Sequence, residues 1–143
     1  MMKLEIEGLN ETIGKFRNVA TQISSGSKDI IKRRTYATER DAKKNVLVDT
    51  GHLKRSIRSE FKKNDLTGEV IVGAEHGIYV EKGTRPHTIE IKNSKVLSDG
   101  KNIFGRKVKH PGTKAQPFLL PAYLDNQNKL KNDVKKFLRK VTR

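Results

Sequence analysis

The sequence has no cysteine and no tryptophan, and only eight of its 143 residues are phenylalanine or tyrosine. The lack of cysteine excludes a disulfide framework, thiolate chemistry and a cysteine-based zinc site. No apolar run approaches the roughly 18 residues of a membrane span, and residues 1–7 lack the apolar run of a secretion signal. We therefore expect a soluble protein that is made in a reducing cytoplasm and is not exported by such a signal.

Acidic residues are also scarce relative to basic ones. The chain has 16 Asp and Glu against 31 Lys and Arg, which gives a formal net charge of +15. The excess of positive charge is distributed unevenly along the chain: residues 64–91 carry a net charge of −3, whereas residues 92–124 carry +6. Such a surface attracts nucleic-acid phosphates and other anions in a salt-sensitive way. A solvated, lysine-rich face without a specific partner is the alternative interpretation.

The balance of apolar and charged residues limits the core. A chain of 143 residues is expected to form one domain, here residues 1–143, with a single core. Apolar residues make up 34% of the chain and charged residues 33%, so this core should be thin. We expect a partner to cover part of the remaining apolar surface.

Apolar spacing predicts helices at both ends of the chain. Apolar positions at steps of three and four residues indicate one helix over residues 10–23 and a second over residues 28–47. A third, clearly amphipathic helix is predicted over residues 121–141. Ahead of these helices, Leu4 and Ile6 alternate with charged residues, which is typical of a short strand.

Alternation predicts β-strands in the middle of the chain. Residues 57–61 and 69–73 flank a turn and should form an antiparallel hairpin, and residues 88–91 add a further strand. A short helical turn is predicted over residues 76–82. The basic segment 92–112 is either an extended hairpin or a mobile loop. The expected fold is α+β, with N-terminal helices, a central antiparallel sheet of about four strands, and an amphipathic C-terminal helix packed on the sheet.

Asp49-Thr50-Gly51 is the tripeptide of aspartic proteases, which need two such carboxylates held close together. The chain has one copy, and it lacks the apolar strands that flank the protease site. An Asp followed by a Gly also suits a tight turn in which the carboxylate accepts backbone N–H groups. We therefore interpret the tripeptide as a turn leading into the core residues Leu53 and Ile57.

The other candidates for chemistry are weak. Four widely separated histidines lack the spacing of a helical zinc pair. Gly112-Thr113-Lys114 lacks the earlier glycine that a phosphate-binding loop requires. We interpret Glu81, beside Lys82 and Arg85, as part of a surface ion pair and not as a general base. No metal and no cofactor are expected.

Three short motifs follow one another along the chain: residues 48–57 (VDTGHLKRSI), 79–87 (YVEKGTRPH) and 110–122 (HPGTKAQPFLLPA). In order and spacing they resemble motifs of the small tail-completion, or head–tail joining, proteins of long-tailed bacteriophages. This is the gene-product-ten-like family of lambdoid phages and related prophages. The similarity extends over roughly residues 10–140.

The resemblance implies a non-enzymatic component of the virion neck, made in the bacterial host cytoplasm. Such a protein would assemble as a ring, expected to be a hexamer, between head-closure proteins and the tail-tube or tail-terminator protein, and it would touch packaged DNA. It would have no membrane partner. A basic nucleic-acid-binding module is the runner-up, and a hydrolase that uses Asp49 or His87 is a third alternative.

Two groups of candidate residues follow. Contacts with other subunits or with DNA are expected from Lys92, Lys95, Lys101, Arg106, Lys107, Lys109, Lys114, Glu81 and Arg85. Structural turns are expected at Asp49, Gly51, Gly83, Pro111, Gly112, Pro117 and Pro121. We expect segment 92–112 to be mobile in the free subunit and to become ordered against a neighbour's acidic surface, for which the candidates are Glu69, Glu75, Glu81 and Glu90.

Overall fold

The computed structural model describes residues 9–62, 64–90, 97–98 and 101–142. The helices are α1 (Leu9–Asn45), α2 (His52–Ser56), α3 (Gly77–Lys82) and α4 (Leu119–Val141). The strands are β1 (Ile57–Phe61), β2 (Gly68–Val72), β3 (His87–Glu90), β4 (Leu97–Ser98), β5 (Ile103–Gly105) and β6 (Lys107–His110). The predicted α+β class is confirmed. The strand predicted around Leu4 and Ile6 lies outside the described residues.

The first helix is longer than the sequence pattern predicted. We expected two helices, over residues 10–23 and 28–47, but α1 runs unbroken for 37 residues. Gly26 does not end a helix, because it lies where α1 meets α4. A Cβ atom at Gly26 would overlap the ring of Phe137. The glycine therefore permits a close approach of two helices, and packing between helices outweighs its poor helix propensity.

Helix α4 lies antiparallel along α1. Asn126 Nδ2 donates to Asp41 Oδ2 at 2.9 Å, and further along α4 the carboxylate of Asp133 lies 2.6 Å from the Arg34 guanidinium. The predicted amphipathic C-terminal helix is confirmed, but its main partner is α1 and not the sheet. Its first turn packs in the core together with residues of the β1–β2 hairpin. An apolar stripe predicts which face of a helix is buried, but not which element covers that face.

The strands form three separate two-stranded antiparallel pairs, where we predicted one sheet of about four strands. β1 and β2 form the predicted hairpin, with Ile57 opposite Val72. β3 pairs with β6, and β4 pairs with β5, so the described part of segment 92–112 is largely in strands. Alternation identifies strands but not their neighbours, and here α3 separates β2 from β3.

The core lies where the end of α1 meets α2, the hairpin and the start of α4. Phe118 and Ile57 are its largest fully buried side chains. The core consists of seven buried residues: Ala42, Val46, Leu53, Ile57, Ala74, Phe118 and Ala122. In the described part of the chain, thirteen large apolar or aromatic side chains remain at least 40% exposed. The core is therefore thin, and much apolar surface is left for other contacts.

The two glycines inside α1 give a matched test of the helix crossing. Gly26→Leu should lower the free energy of unfolding by about 1–3 kcal/mol, because the new side chain must displace the Phe137 ring. Gly14→Leu should be neutral or stabilising by up to about 1 kcal/mol, because no other atom lies within 4 Å of a Cβ there. Chemical denaturation of both variants measures the difference. Equal effects would show that Gly26 does not hold the two helices close.

Candidate functional site

Glu81 lies in the last turn of α3 and reaches the start of α4. Its carboxylate accepts hydrogen bonds of 2.8, 2.9 and 2.9 Å from the backbone N–H groups of Phe118, Leu119 and Leu120. The first N–H groups of a helix have no partner within the helix, and negative charge is favourable at that end. Glu81 therefore caps α4 from a distant part of the chain.

The environment of Glu81 favours its charged form. Partial burial alone would raise its pKa, but the hydrogen bonds from Leu119, Phe118 and Leu120 outweigh burial and hold the pKa below its ordinary value. The interpretation of Glu81 as a surface ion pair with its basic neighbours was therefore wrong. The sequence contains one indirect sign that another residue caps α4. Phe118 stands where a helix usually has a capping Ser, Thr, Asp or Asn, so the cap must come from elsewhere.

A bridge between Thr84 and Thr113 joins the chain after α3 to the chain before α4. The two residues exchange backbone hydrogen bonds of 2.9 and 3.1 Å, and their hydroxyls lie 3.0 Å apart. Gly83 and Gly112 flank the bridge with φ of 70° and 85°. A Cβ on either glycine would overlap backbone atoms across the bridge. Both turns therefore depend on glycine for its conformation and for its small size.

The other predicted turn residues lie in connections or at a helix start. Gly51 has φ of 76° just before α2. The Thr50 hydroxyl, and not the Asp49 carboxylate as we expected, accepts the N–H of His52, at 3.4 Å. Thr50 accepts this hydrogen bond because it precedes the donor residue, His52, by two positions, and a side-chain oxygen readily bonds the backbone N–H two residues further on. Of the remaining predicted turn residues, Pro111 lies just before the bridge, Pro117 lies in the connection that leads to α4, and Pro121 lies in the first turn of α4.

Six of the predicted basic contact residues are described, and all six are exposed. They are Lys101 and Arg106 beside β5, Lys107 and Lys109 on β6, and Arg85 and Lys114 beside the bridge. Lys107 pairs with Glu90 across the β3–β6 ladder at 2.6 Å. Lys92 and Lys95 lie outside the described residues. The ladder and the bridge thus bring basic side chains into one region, whereas Glu81 serves the helix start.

An apolar groove that the sequence did not predict lies between α1, α4 and β2. It has a volume of about 680 Å³, and its lining includes Thr35 on α1, Val70 on β2 and Tyr123 on α4. Glu81 and Leu119 also line a second, smaller pocket of about 400 Å³ beside the same strand. The groove has no local sequence signature because its walls come from three elements far apart in the chain.

The histidines lie in two pairs. Ring centroids of His52 and His76 are 5.7 Å apart, and those of His87 and His110 are 5.0 Å apart. Among the described residues, no group of three or more His, Asp or Glu is placed to hold a metal ion. In the described part of the chain, no helix is both long and apolar enough to cross a membrane.

Comparison with known protein families identifies a matching family model. A family model described as "Bacteriophage HK97-gp10, putative tail-component" matches residues 10–83, which is 74 of the 143 residues. The matched range includes α1, the β1–β2 hairpin and α3, and it contains the first of the three sequence motifs. Searches among curated proteins and among solved structures gave no match. The resemblance indicated by the motifs is confirmed over residues 10–83, a range that ends before the third motif.

The Glu81 cap predicts a pH-dependent contribution to stability. Glu81→Gln should lower the free energy of unfolding by about 1–2 kcal/mol at pH 7, because it removes the charge from the helix start. The folded pKa of Glu81 lies below its reference value of 4.5, so the contribution is present above that pH and is lost as the pH falls through the folded value. The difference between wild type and variant should therefore shrink below about pH 4.5.

Chemical denaturation at several pH values between neutral and about 3 measures this difference. Glu75→Gln is the matched control, because Glu75 is exposed, and it should change stability by no more than about 0.5 kcal/mol. A Glu81→Gln effect that is absent at pH 7, or that stays constant down to pH 3, would contradict the capping role.

Proposed function

The chain belongs to the HK97-gp10-like family of bacteriophage tail components, and we propose that it joins filled heads to tails in the virion neck. The observation that carries this proposal is the family match over residues 10–83. In this proposal the protein works by geometric adaptation and sealing, without catalysis. It forms a ring, a hexamer, between head-closure proteins and the tail-tube or tail-terminator protein.

The distribution of charge and apolar surface supports assembly from identical subunits. Residues 64–91 carry a net charge of −3 and residues 92–124 carry +6, so one copy offers patches of opposite sign. A head-to-tail interface joins two different patches of the same chain, and it forms a ring when the rotation from copy to copy closes. Exposed apolar side chains such as Ile78, Tyr79 and Ile103, exposed by 56%, 59% and 74%, supply the surface that such contacts bury.

Inactivation of the gene tests the proposal directly. A phage with a stop codon early in this gene should yield DNA-filled heads and separate, complete tails in electron micrographs of the lysate. Supplying the intact gene from a plasmid should restore tailed, infectious particles. Normal tailed particles without the gene would contradict the proposal, as would a lysate with filled heads but no tails.

The basic segment gives a more specific prediction. Deleting residues 94–106 should leave the subunit folded, because Glu90 opposes Lys107 and the three remaining residues 91–93 can close a β3–β6 hairpin. The variant should nevertheless fail to join heads to tails, because three of the six basic contact residues of segment 92–112 are removed: Lys95, Lys101 and Arg106. Thermal unfolding checks the fold, and plaque counts after complementation check joining. Normal infectivity of the deletion variant would show that the segment makes no required contact.

A nucleic-acid-binding module is the second candidate, and the net charge of +15 favours it. Binding through phosphates alone should be independent of sequence and should weaken by about 10³-fold or more between 50 and 200 mM salt. Titration of duplex DNA into the purified protein at both salt concentrations measures this dependence. Tight binding that persists near physiological salt would favour the DNA-binding module over the joining protein.

A further inference from the structure

One edge of β2 is open. β2 pairs only with β1 in the described part of the chain. Just beyond the strand ends, Lys62 N–H donates to Thr67 C=O and Gly73 N–H donates to Ser56 C=O, at 3.2 and 3.0 Å. These two bonds fix the alternation of the antiparallel ladder, in which every second residue of β2 directs its N–H and C=O toward β1.

The alternation leaves three residues of β2 with outward backbone groups: Gly68, Val70 and Val72. The backbone N–H and C=O groups of Glu69 and Ile71 point toward β1. Those of Val70 and Val72 therefore point to the open edge. Within the described residues these outward groups have no hydrogen-bond partner. Such an edge is a template for another strand, which would supply main-chain hydrogen bonds.

The open edge forms a wall of the apolar groove. Val70 lines the groove on the β2 side, Leu119 and Tyr123 line it on the α4 side, and Ile31 and Thr35 of α1 form its floor. A strand added to β2 would lie about 4.8 Å from it and would rest on α1. Every second side chain of that strand would face the floor, so the groove selects a segment with alternating apolar residues.

A buried amide group gives a second, independent sign of a missing partner. Asn126 lines the groove and is 2% exposed. Its Nδ2 donates to Asp41 Oδ2 and to the Ala122 carbonyl, at 2.9 and 3.0 Å, which fixes the orientation of the amide because both partners are acceptors. Its Oδ1 is buried and has no hydrogen-bond partner among the described residues. Buried polar atoms are normally paired, so the wall of the groove contains an unsatisfied acceptor in the described part of the chain.

The chain itself contains a segment with the required pattern. In Lys3-Leu4-Glu5-Ile6-Glu7, apolar residues alternate with charged ones. These residues lie outside the described part of the chain, but Leu4 is only five residues from Leu9 and so lies within about 18 Å of it. Ile31 lies 22 residues along the same unbroken helix, about 33 Å from Leu9. The segment therefore cannot reach the groove of its own copy.

The start of α1 extends away from its own fold. Phe137 packs at Gly26, and beyond this contact α4 continues for four residues, or about 6 Å, whereas α1 continues for 17 residues, or about 25 Å. This projecting part carries Phe16, which is 71% exposed, and Ile13, which is 40% exposed. Its apolar side chains and its reach suit contact with a second copy.

We propose that residues 3–7 of one copy add as a strand to the open edge of β2 in a neighbouring copy. Leu4 and Ile6 face the floor of the groove, and Lys3, Glu5 and Glu7 face solvent. Each copy donates one strand and accepts another, so the contact is heterologous and can close into a ring. This inference rests on the self-association in the proposed function, but it does not depend on head–tail joining.

Disulfide cross-linking tests the proposed neighbours, and the chain has no cysteine of its own to interfere. One single-cysteine variant, Glu5→Cys, is mixed with another, Glu69→Cys, whose exposed position faces solvent on β2. Cysteines on adjacent strands lie within the roughly 7 Å between Cα atoms that a disulfide spans. The mixture should give a covalent dimer on a non-reducing gel, and Lys3→Cys and Glu7→Cys cover the neighbouring registers.

Glu60→Cys is the matched control for this experiment. Glu60 is exposed and lies directly opposite Glu69 on β1, so it would be two strands away from the added segment, at about 10 Å. When it is mixed with Glu5→Cys in place of Glu69→Cys, Glu60→Cys should give little or no cross-linked dimer. Equal yields from the two positions would overturn the proposed strand addition.

Association measurements test the identity of the added segment. Leu4→Ser/Ile6→Ser should weaken self-association by about 100-fold or more, because each buried aliphatic side chain contributes about tenfold or more. Lys3→Ser/Glu5→Ser, which changes the solvent-facing residues, should alter it by less than about threefold. Hydrogen exchange should show the Val70 and Val72 amides protected only in the associated protein, whereas the Ile71 amide is protected in both states.

The outcomes separate this inference from the proposed function. Unchanged association in Leu4→Ser/Ile6→Ser would overturn the strand addition and leave self-association standing. Protection of Val70 and Val72 that persists in that variant would mean that another strand occupies the edge, which also overturns it. An intact protein that stays monomeric at its highest soluble concentration would contradict both.

Discussion

The described fold depends on the packing of the hairpin and of α4 on one continuous helix, α1. Ala42 and Val46, near its C-terminal end, belong to the core, and Thr35 lies so close to Gly68 that a Cβ on the glycine would overlap its hydroxyl. Further toward the N-terminus, Gly26 receives the ring of Phe137. These contacts leave the first turns of α1 beyond the body of the described chain. A helix that both organises a small fold and projects from it suits a protein that works by contact with other copies.

Glu81 connects the β-rich part of the chain to the helical part. Its carboxylate satisfies the start of α4, and Phe118, at that start, is one of the two largest fully buried side chains. The Thr84–Thr113 bridge holds the same two chain segments together a few residues further on. Position 81 therefore determines where α4 begins relative to the hairpin, and the walls of the groove depend on that placement.

Local patterns predicted the elements, and long-range packing determined their arrangement. The hairpin from Ile57 to Val72 and the helical turn ending at Gly83 were predicted because alternation, turn residues and apolar spacing are local signals. The continuity of α1 through Gly26 was not predictable, because it depends on a ring 111 residues away in sequence. The Glu81 cap, the three separate strand pairs and the groove were missed for the same reason. The motifs did point to the right family, whose model matches residues 10–83 and so contains the first motif.

The proposed self-association rests on three observations: the open strand edge, the projecting helix and the thin core. It is tested most directly by thermal unfolding of the purified protein across about a hundredfold range of protein concentration. Association stabilises the folded state by mass action, so the midpoint temperature should rise with concentration. A midpoint that does not change over that range would show that the single copy is complete by itself, and it would contradict this interpretation of the structure.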